Sequence, residues 1–168
     1  MKKVFALVLF SIGQIVSGQE NNPEQIDSKV NVIESNTELS FSEFDWVELT
    51  GIVTDGGGVL KIWSNDDTIH KIIEEIGFSY GRLTTTIYLS NQTPIKIIET
   101  EENFERTNDG FKYSVLEEVF RKEYYVFDWE REEGETNTIG KRFMSEEGCS
   151  NYEIYDPILE RAKKAITK

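Results

Sequence analysis

Cysteine and histidine occur once each in this chain of 168 residues, and proline occurs three times. The single cysteine, Cys149, excludes a disulfide within the chain and leaves a thiol that is either buried or paired with another molecule. The single histidine, His70, is the only residue through which a Ser–His–Asp or Cys–His catalytic arrangement could work. The two residues are too few for a four-ligand zinc site unless carboxylates supply most ligands. We therefore predict no metal and no other cofactor, and interpret His70 as a solvent-facing strand residue.

Basic residues are also scarce. The chain has 18 Lys and Arg but 31 Asp and Glu, which gives a formal net charge of −13. A domain this acidic repels phosphate backbones and anionic lipid surfaces. Nucleic acid and membrane surfaces are therefore poor candidates as partners. A basic envelope protein or a glycan fits the charge better, although solubility alone also accounts for an acidic surface.

Only one long apolar run occurs, and it lies at the N-terminus. Lys2 and Lys3 precede apolar residues that continue to Val16, and small residues before Gln19 suit cleavage by signal peptidase. The run is shorter than the ~20 residues that a membrane span needs. We predict a signal peptide over residues 1–18, a single domain over 19–168, and a secreted or periplasmic protein with no membrane span after signal removal. Loss of two lysines and no acid would move the net charge from −13 to −15.

A short phrase is written twice in the chain. Ser-Asn at 64–65 leads to Lys-Ile-Ile-Glu at 71–74, and Ser-Asn at 90–91 leads to the same four residues at 96–99. Apolar residues precede each Ser-Asn pair, so the pattern of strand, polar turn and strand occurs twice and predicts consecutive β-hairpins. We expect Glu74 and Glu99 to hold equivalent positions on a solvated face or edge of the sheet.

The predicted fold is α+β: an antiparallel β-meander of about six to seven strands, with an N-terminal and a C-terminal helix packed on it. Apolar and β-branched patterns predict strands over 47–54, 59–64, 68–77, 82–90, 95–104, 111–130 and 137–144. The segment 111–130 is ambiguous, because Ser114 and Glu117 have the form of a helix capping box. The aromatic residues near Tyr124 favour a strand there.

Proline residues mark the start of both predicted helices. Asn22 and Pro23 suit the cap and first turn of a helix that ends near residue 36, and Asp156 and Pro157 suit those of a helix running to the C-terminus. Each helix has one apolar face. We expect both to pack on the sheet, where they could share one face.

Aromatic residues are numerous, with 3 Trp, 7 Tyr and 10 Phe. If some of these rings face the helices, others face outward, where they can stack on a sugar ring or anchor a peptide. Tyr124 and Tyr125 point to opposite sides of a strand, so one of the two is a surface candidate. The predicted binding surface comprises Trp46, Tyr80, Tyr124, Tyr125 and Trp129. We predict no catalytic residue.

Three functions fit these features. The leading hypothesis is a secreted or periplasmic, non-enzymatic binding module, such as an inhibitor of, or accessory to, a basic envelope protein. One alternative is a carboxylate-based hydrolase acting on envelope polysaccharide, which would use two acidic residues in a pocket. Another is a structural dimer linked through Cys149. A flat, charged sheet face would favour a protein partner, and a curved aromatic face would favour a small ligand or a glycan.

Overall fold

The computed structural model describes residues 22–143 and 151–167. Residues 1–18 and Cys149, on which the signal peptide and the covalent dimer depend, lie outside the described residues. The elements in chain order are α1 (Pro23–Ser35), β1 (Ser40–Asp45), α2 (Trp46–Thr50), β2 (Gly58–Asn65), β3 (Thr68–Phe78), β4 (Gly81–Ser90), β5 (Thr93–Thr107), β6 (Gly110–Asp128), β7 (Glu133–Gly140), a 3-10 turn (Tyr152–Tyr155) and α3 (Asp156–Ile166).

The seven strands form one sheet in the order in which they occur along the chain, and every neighbouring pair is antiparallel. The predicted β-meander is confirmed, including the strand in the ambiguous segment 111–130. Asp66 and Asn91 adopt left-handed backbone angles in the two repeated turns, with φ of 50° and 52°. Short polar side chains tolerate these angles, so Asp66 and Asn91 suit the two turns.

The repeated glutamates do occupy equivalent positions, but the expectation that they are solvated was wrong. Glu74 and Glu99 both pair with Thr85, so the three lie in one row across β3, β4 and β5. Glu74 is buried, with 5% exposure, and Glu99 is half-buried. Both side chains carry an arginine partner, which makes their burial possible.

The strand predicted over 47–54 was wrong. The first strand lies earlier, at β1, and the chain then forms the short helix α2. The Asp45 side chain accepts a hydrogen bond from the Glu48 backbone N–H, and Gly51 ends the helix with a φ of 72°. A cap at one end and a left-handed glycine at the other override the strand preference of the valine and threonine residues between them. The last strand also lies earlier than predicted, at β7.

The two terminal helices pack on opposite faces of the sheet. Ile72, Ile87, Ile97 and Tyr124 form one row across four strands, and α3 completes a core on that face. Side chains of the opposite face hold α1, because Lys71, Tyr88, Lys96 and Tyr125 contact its carboxylates. The two helices therefore do not share a face. Within the described residues, no helix is long and apolar enough to cross a membrane.

The N-terminal helix begins as predicted, and the C-terminal helix begins slightly differently. The Asn22 side chain accepts a hydrogen bond from the Gln25 backbone N–H at 2.9 Å and caps α1. Asp156 is the first residue of α3 rather than its cap. The cap lies upstream, where the Asn151 side chain accepts from the Glu153 backbone N–H at 2.7 Å and starts the 3-10 turn that leads into α3.

The hairpin of β5 and β6 extends beyond its neighbours. The first β4 residue, Gly81, pairs with Asn103, and the last β7 residue, Gly140, pairs with Phe120. Residues 104–116 therefore form a two-stranded arm. The arm carries aromatic rings in contact, with the centroids of Phe104 and Tyr113 5.1 Å apart.

Candidate functional site

Two of the five predicted surface residues lie in the interior. Trp46 is 6% exposed and Tyr124 is 5% exposed. The Trp46 indole N–H donates to a Glu74 carboxylate oxygen at 2.8 Å, and Tyr124 packs edge-on against Tyr152 and Tyr155. Neither ring can meet a partner, which corrects the predicted surface. Tyr124 lies on the sheet face that α3 covers, and α2 places the Trp46 ring in the interior.

Tyr125 anchors the N-terminal helix. Its hydroxyl lies 3.0 Å from the Lys96 ammonium and 3.2 Å from the Asp27 carboxylate of α1. Lys96 is 8% exposed by side chain and also pairs with Glu123 at 3.3 Å. Burial opposes the charged form, but hydrogen bonds to Asp27 and Tyr125 raise the pKa of Lys96 overall. These contacts give Tyr125 a structural role on the α1 face.

Tyr80 and Trp129 lie at opposite ends of the sheet. Tyr80 belongs to the turn between β3 and β4, is 40% exposed, and stacks on Phe78. Trp129 belongs to the turn between β6 and β7. In a meander, alternate turns lie at opposite ends, so the five predicted residues do not form a single surface. Trp129 lines two cavities.

Two adjoining cavities of about 620 and 310 Å³ lie at the Trp129 end of the sheet and share Trp129, Glu130 and Asp156. The turn between β4 and β5, the turn between β6 and β7, and the start of α3 form their walls. We call this the acidic groove, and define it by Trp129, Glu130, Glu132, Glu153, Asp156 and Glu160. All five acidic side chains belong to exposed residues.

The charge of the groove is only partly balanced. Arg131 and Lys163 are the basic residues of its lining. The Arg131 guanidinium lies 3.7 Å from the Asp128 carboxylate, and this side chain is 73% exposed. Five carboxylates against two cations leave the groove negative, so it favours cationic ligands over anionic ones.

The groove walls are held in place by contacts between the β6–β7 turn and the 3-10 turn. The Trp129 ring stacks on Tyr152 with centroids 5.1 Å apart and planes 15° apart. A Glu132 carboxylate oxygen accepts from the Tyr152 backbone N–H at 3.1 Å. A side chain at Gly134 would meet the Tyr152 hydroxyl at 2.6 Å and the Tyr125 carbonyl at 2.2 Å, so only glycine permits this packing. The groove is therefore largely preformed.

A second group of carboxylates is buried beneath α3, away from the groove. Glu74 accepts from Trp46 and from Arg161 of α3, with the closest guanidinium contact at 2.5 Å. Glu99 pairs with Arg142. Glu101 is fully buried and accepts from the Phe143 backbone N–H at 2.9 Å. These contacts tie α3 and the segment after β7 to the sheet.

The surroundings of the buried acids also affect a tyrosine. Burial and the adjacent negative charge of Glu99 raise the pKa of the Tyr155 hydroxyl, which therefore stays protonated at neutral pH. His70 lies on β3 and is half-buried. Among residues 22–143 and 151–167, no group of three or more ligating side chains could hold a metal ion.

The sheet face that holds α1 is polar where the helix leaves it open. Glu75 accepts from Lys61 at 2.7 Å and lies 3.6 Å from Arg82, which in turn donates to Glu102 at 2.6 Å. These pairs run across four strands. Sequence reasoning did not find this ladder, because strand register decides which charges meet. A charged face of this kind favours a protein partner over a small apolar ligand.

No protein-family model, curated protein or solved structure matches this chain.

Proposed function

We propose that this protein is an exported binding module whose acidic groove receives a basic segment of an envelope protein. The observation that carries the proposal is the convergence of Glu130, Glu132, Glu153 and Asp156 on one cavity beside Trp129. Export rests on the signal-like pattern of residues 1–18. A module of this type acts as an inhibitor of, or an accessory to, the protein whose basic segment it holds.

The chemistry of the groove suits lysine and arginine side chains. A cavity of about 620 Å³ has room for such side chains. Carboxylates pair with their cationic groups, and the Trp129 ring can add a cation–π contact. Because Trp129 already stacks on Tyr152, ordering this ring on binding costs little entropy.

Long-range electrostatics supports the same choice of partner. The chain carries a net charge of −13. A negative field of this size raises the association rate with basic proteins and lowers it with acidic ones. The ion pairs on the sheet face, such as those of Arg82, are already satisfied within the chain. The groove is therefore the better candidate for direct contact.

A glycan is the second candidate ligand, because Trp129 lines both cavities. Aromatic rings stack on sugar rings, and carboxylates accept hydrogen bonds from sugar hydroxyls. A neutral glycan would bind with little dependence on salt concentration, whereas a basic segment would bind more weakly as salt increases.

The hydrolase alternative receives less support. A general acid needs an environment that disfavours its charged form, as burial does. The groove acids are exposed, and the buried Glu74 and the half-buried Glu99 are each paired with an arginine. The covalent dimer stays a prediction about Cys149. Unchanged mobility on non-reducing gels would remove it.

The test compares two variants of equal charge. Labelled decalysine is titrated into wild type, into Glu130→Lys/Glu153→Lys, and into Glu38→Lys/Glu117→Lys, at low salt and at about 0.15 M salt. All four positions are exposed, so the folded structure should tolerate the changes. We expect the groove variant to lose at least about tenfold in affinity beyond the control, because like charges then face the ligand. Equal losses in both variants would refute the groove as the site.

Two further measurements complete the test. A pull-down from envelope extract at low salt should recover a basic protein with wild type and lose it with the groove variant. Cell fractionation and N-terminal sequencing should find the mature chain outside the cytoplasm and beginning at Gln19. Retention of the uncleaved chain in the cytoplasm would refute export, without bearing on the groove.

A further inference from the structure

Strand β7 forms one edge of the sheet, and all eight of its residues are exposed. One side of β7 pairs with β6. Within residues 22–143 and 151–167, no strand pairs with the other side. An edge of this kind offers free backbone N–H and C=O groups to a further strand. β7 contains no proline, so its sequence does not block such pairing.

The sequence of this edge is complementary to itself about Asn137. If two copies pair antiparallel with Asn137 opposite Asn137, then Thr136 lies opposite Thr138 and Glu135 lies opposite Ile139. The outer pair is then Gly134 with Gly140. No like charges face each other within the strand. Paired threonines across strands are stabilising.

The other edge of the sheet does not offer the same match. β1 carries Glu43 and Asp45, and β7 carries Glu133 and Glu135. Pairing of β1 with β7 of another copy would place four acids on the two paired strands, and it would build an open chain of molecules. Pairing of β7 with β7 is symmetric and closes after two copies.

We propose that this protein forms a homodimer through antiparallel pairing of two β7 strands about Asn137. The product is one continuous sheet in which Ile139, 60% exposed in the single chain, lies against the Glu135 side chain of the second copy. A strand rises about 3.3 Å per residue, so the two Glu133 residues lie roughly 26 Å apart. The two acidic grooves therefore lie toward opposite ends of the paired strands, where one basic chain could engage both.

Charge substitutions at Ile139 test the register directly, by sedimentation of the full exported chain over a wide range of protein concentration. Ile139→Lys would face Glu135 of the second copy in two symmetric pairs, and Ile139→Glu would oppose it. We expect the dimer dissociation constant to fall about two- to thirty-fold for Ile139→Lys and to rise by a similar factor for Ile139→Glu. Adding Glu135→Lys to Ile139→Glu should restore dimerisation.

Val53 provides the matched control, because it is 81% exposed and lies outside the strands. Val53→Lys and Val53→Glu make the same changes in net charge. We expect them to shift the dissociation constant far less than the Ile139 variants do. Equal effects at the two positions would mean that net charge alone acts, which would overturn the proposed register.

A disulfide trap provides an independent readout. In a Cys149→Ser background, Asn137→Cys places two thiols directly opposite each other, whereas Thr138→Cys places them at diagonal positions about 7–8 Å apart. Mild oxidation should link the Asn137→Cys protein faster and more completely. A wild-type protein that stays monomeric at every concentration, or equal linking of the two cysteine variants, would overturn the proposal.

Discussion

Replacing Arg161 with methionine should destabilise this protein, and adding Glu74→Gln to that variant should restore part of the loss. The reason lies in how unequally the two partners are buried. The Glu74 side chain is 6% exposed and the Arg161 side chain is 23% exposed. Loss of Arg161 leaves a buried carboxylate that, among the described residues, still accepts from the Trp46 indole N–H. A charge left uncompensated in this way costs about 3–5 kcal/mol.

Glu74→Gln alone should cost less, about 1–2 kcal/mol. The amide oxygen still accepts from Trp46, and the Arg161 guanidinium can turn toward water. In the double variant no buried charge remains at this pair, and methionine replaces the apolar stem of arginine. We therefore expect Glu74→Gln to raise the free energy of unfolding of Arg161→Met by about 2 kcal/mol.

Urea unfolding followed by tryptophan fluorescence measures all three variants against wild type. The control pair is Glu160 and Lys164 on the same helix, with side chains 68% and 75% exposed and charged atoms 3.3 Å apart. Glu160→Gln and Lys164→Met should each cost less than about 0.5 kcal/mol and should add. If Glu74→Gln instead lowered the stability of Arg161→Met further, the claim that Arg161 compensates a buried charge would be wrong.

Three further outcomes follow from the packing. Burial alone would raise the pKa of Glu34, but hydrogen bonds from Lys71 and Tyr88 lower it below its ordinary value of 4.5. The stability that the Glu34 carboxylate contributes should be complete above that pH and should disappear as the pH falls through the lowered pKa. Urea midpoints measured at a series of acidic pH values should therefore converge for wild type and Glu34→Gln. Gly134→Ala should lower the free energy of unfolding by about 1–3 kcal/mol, because the added methyl would lie 2.2 Å from a backbone oxygen. Thr136→Ala on the same strand is the control and should change the free energy of unfolding by less than about 0.5 kcal/mol. Ile97→Ala, at a fully buried position, should cost about 2–5 kcal/mol in urea unfolding, and Tyr113→Ser, at a position 66% exposed, should cost far less.

Local patterns were enough to predict most of the sheet. The repeated phrase indicated two hairpins, and both occur with polar residues at the turns. The same patterns failed over 47–54, where a cap and a glycine formed α2 instead. Strand preference is a weak signal when short stretches have good helix caps at both ends.

The candidate site was less predictable than the fold. Trp129 was among the predicted surface residues, but the acidic side chains beside it were not distinguishable among 31 acids. Glu130 and Glu153 are far apart in the chain and meet only because the 3-10 turn packs against the β6–β7 turn. Nothing in the order of residues shows which remote segments will pack together.

The sequence by itself determined the meander, because turn residues and alternating apolar residues act between neighbours in the chain. It also determined the strong negative charge, which needs no structure to count. Tertiary structure alone decided that the two terminal helices lie on opposite faces, that the buried Glu74 and the half-buried Glu99 have arginine partners, and that an acidic groove opens beside Trp129. Those outcomes depend on strand register, and a shift of one residue would exchange the two faces of the sheet.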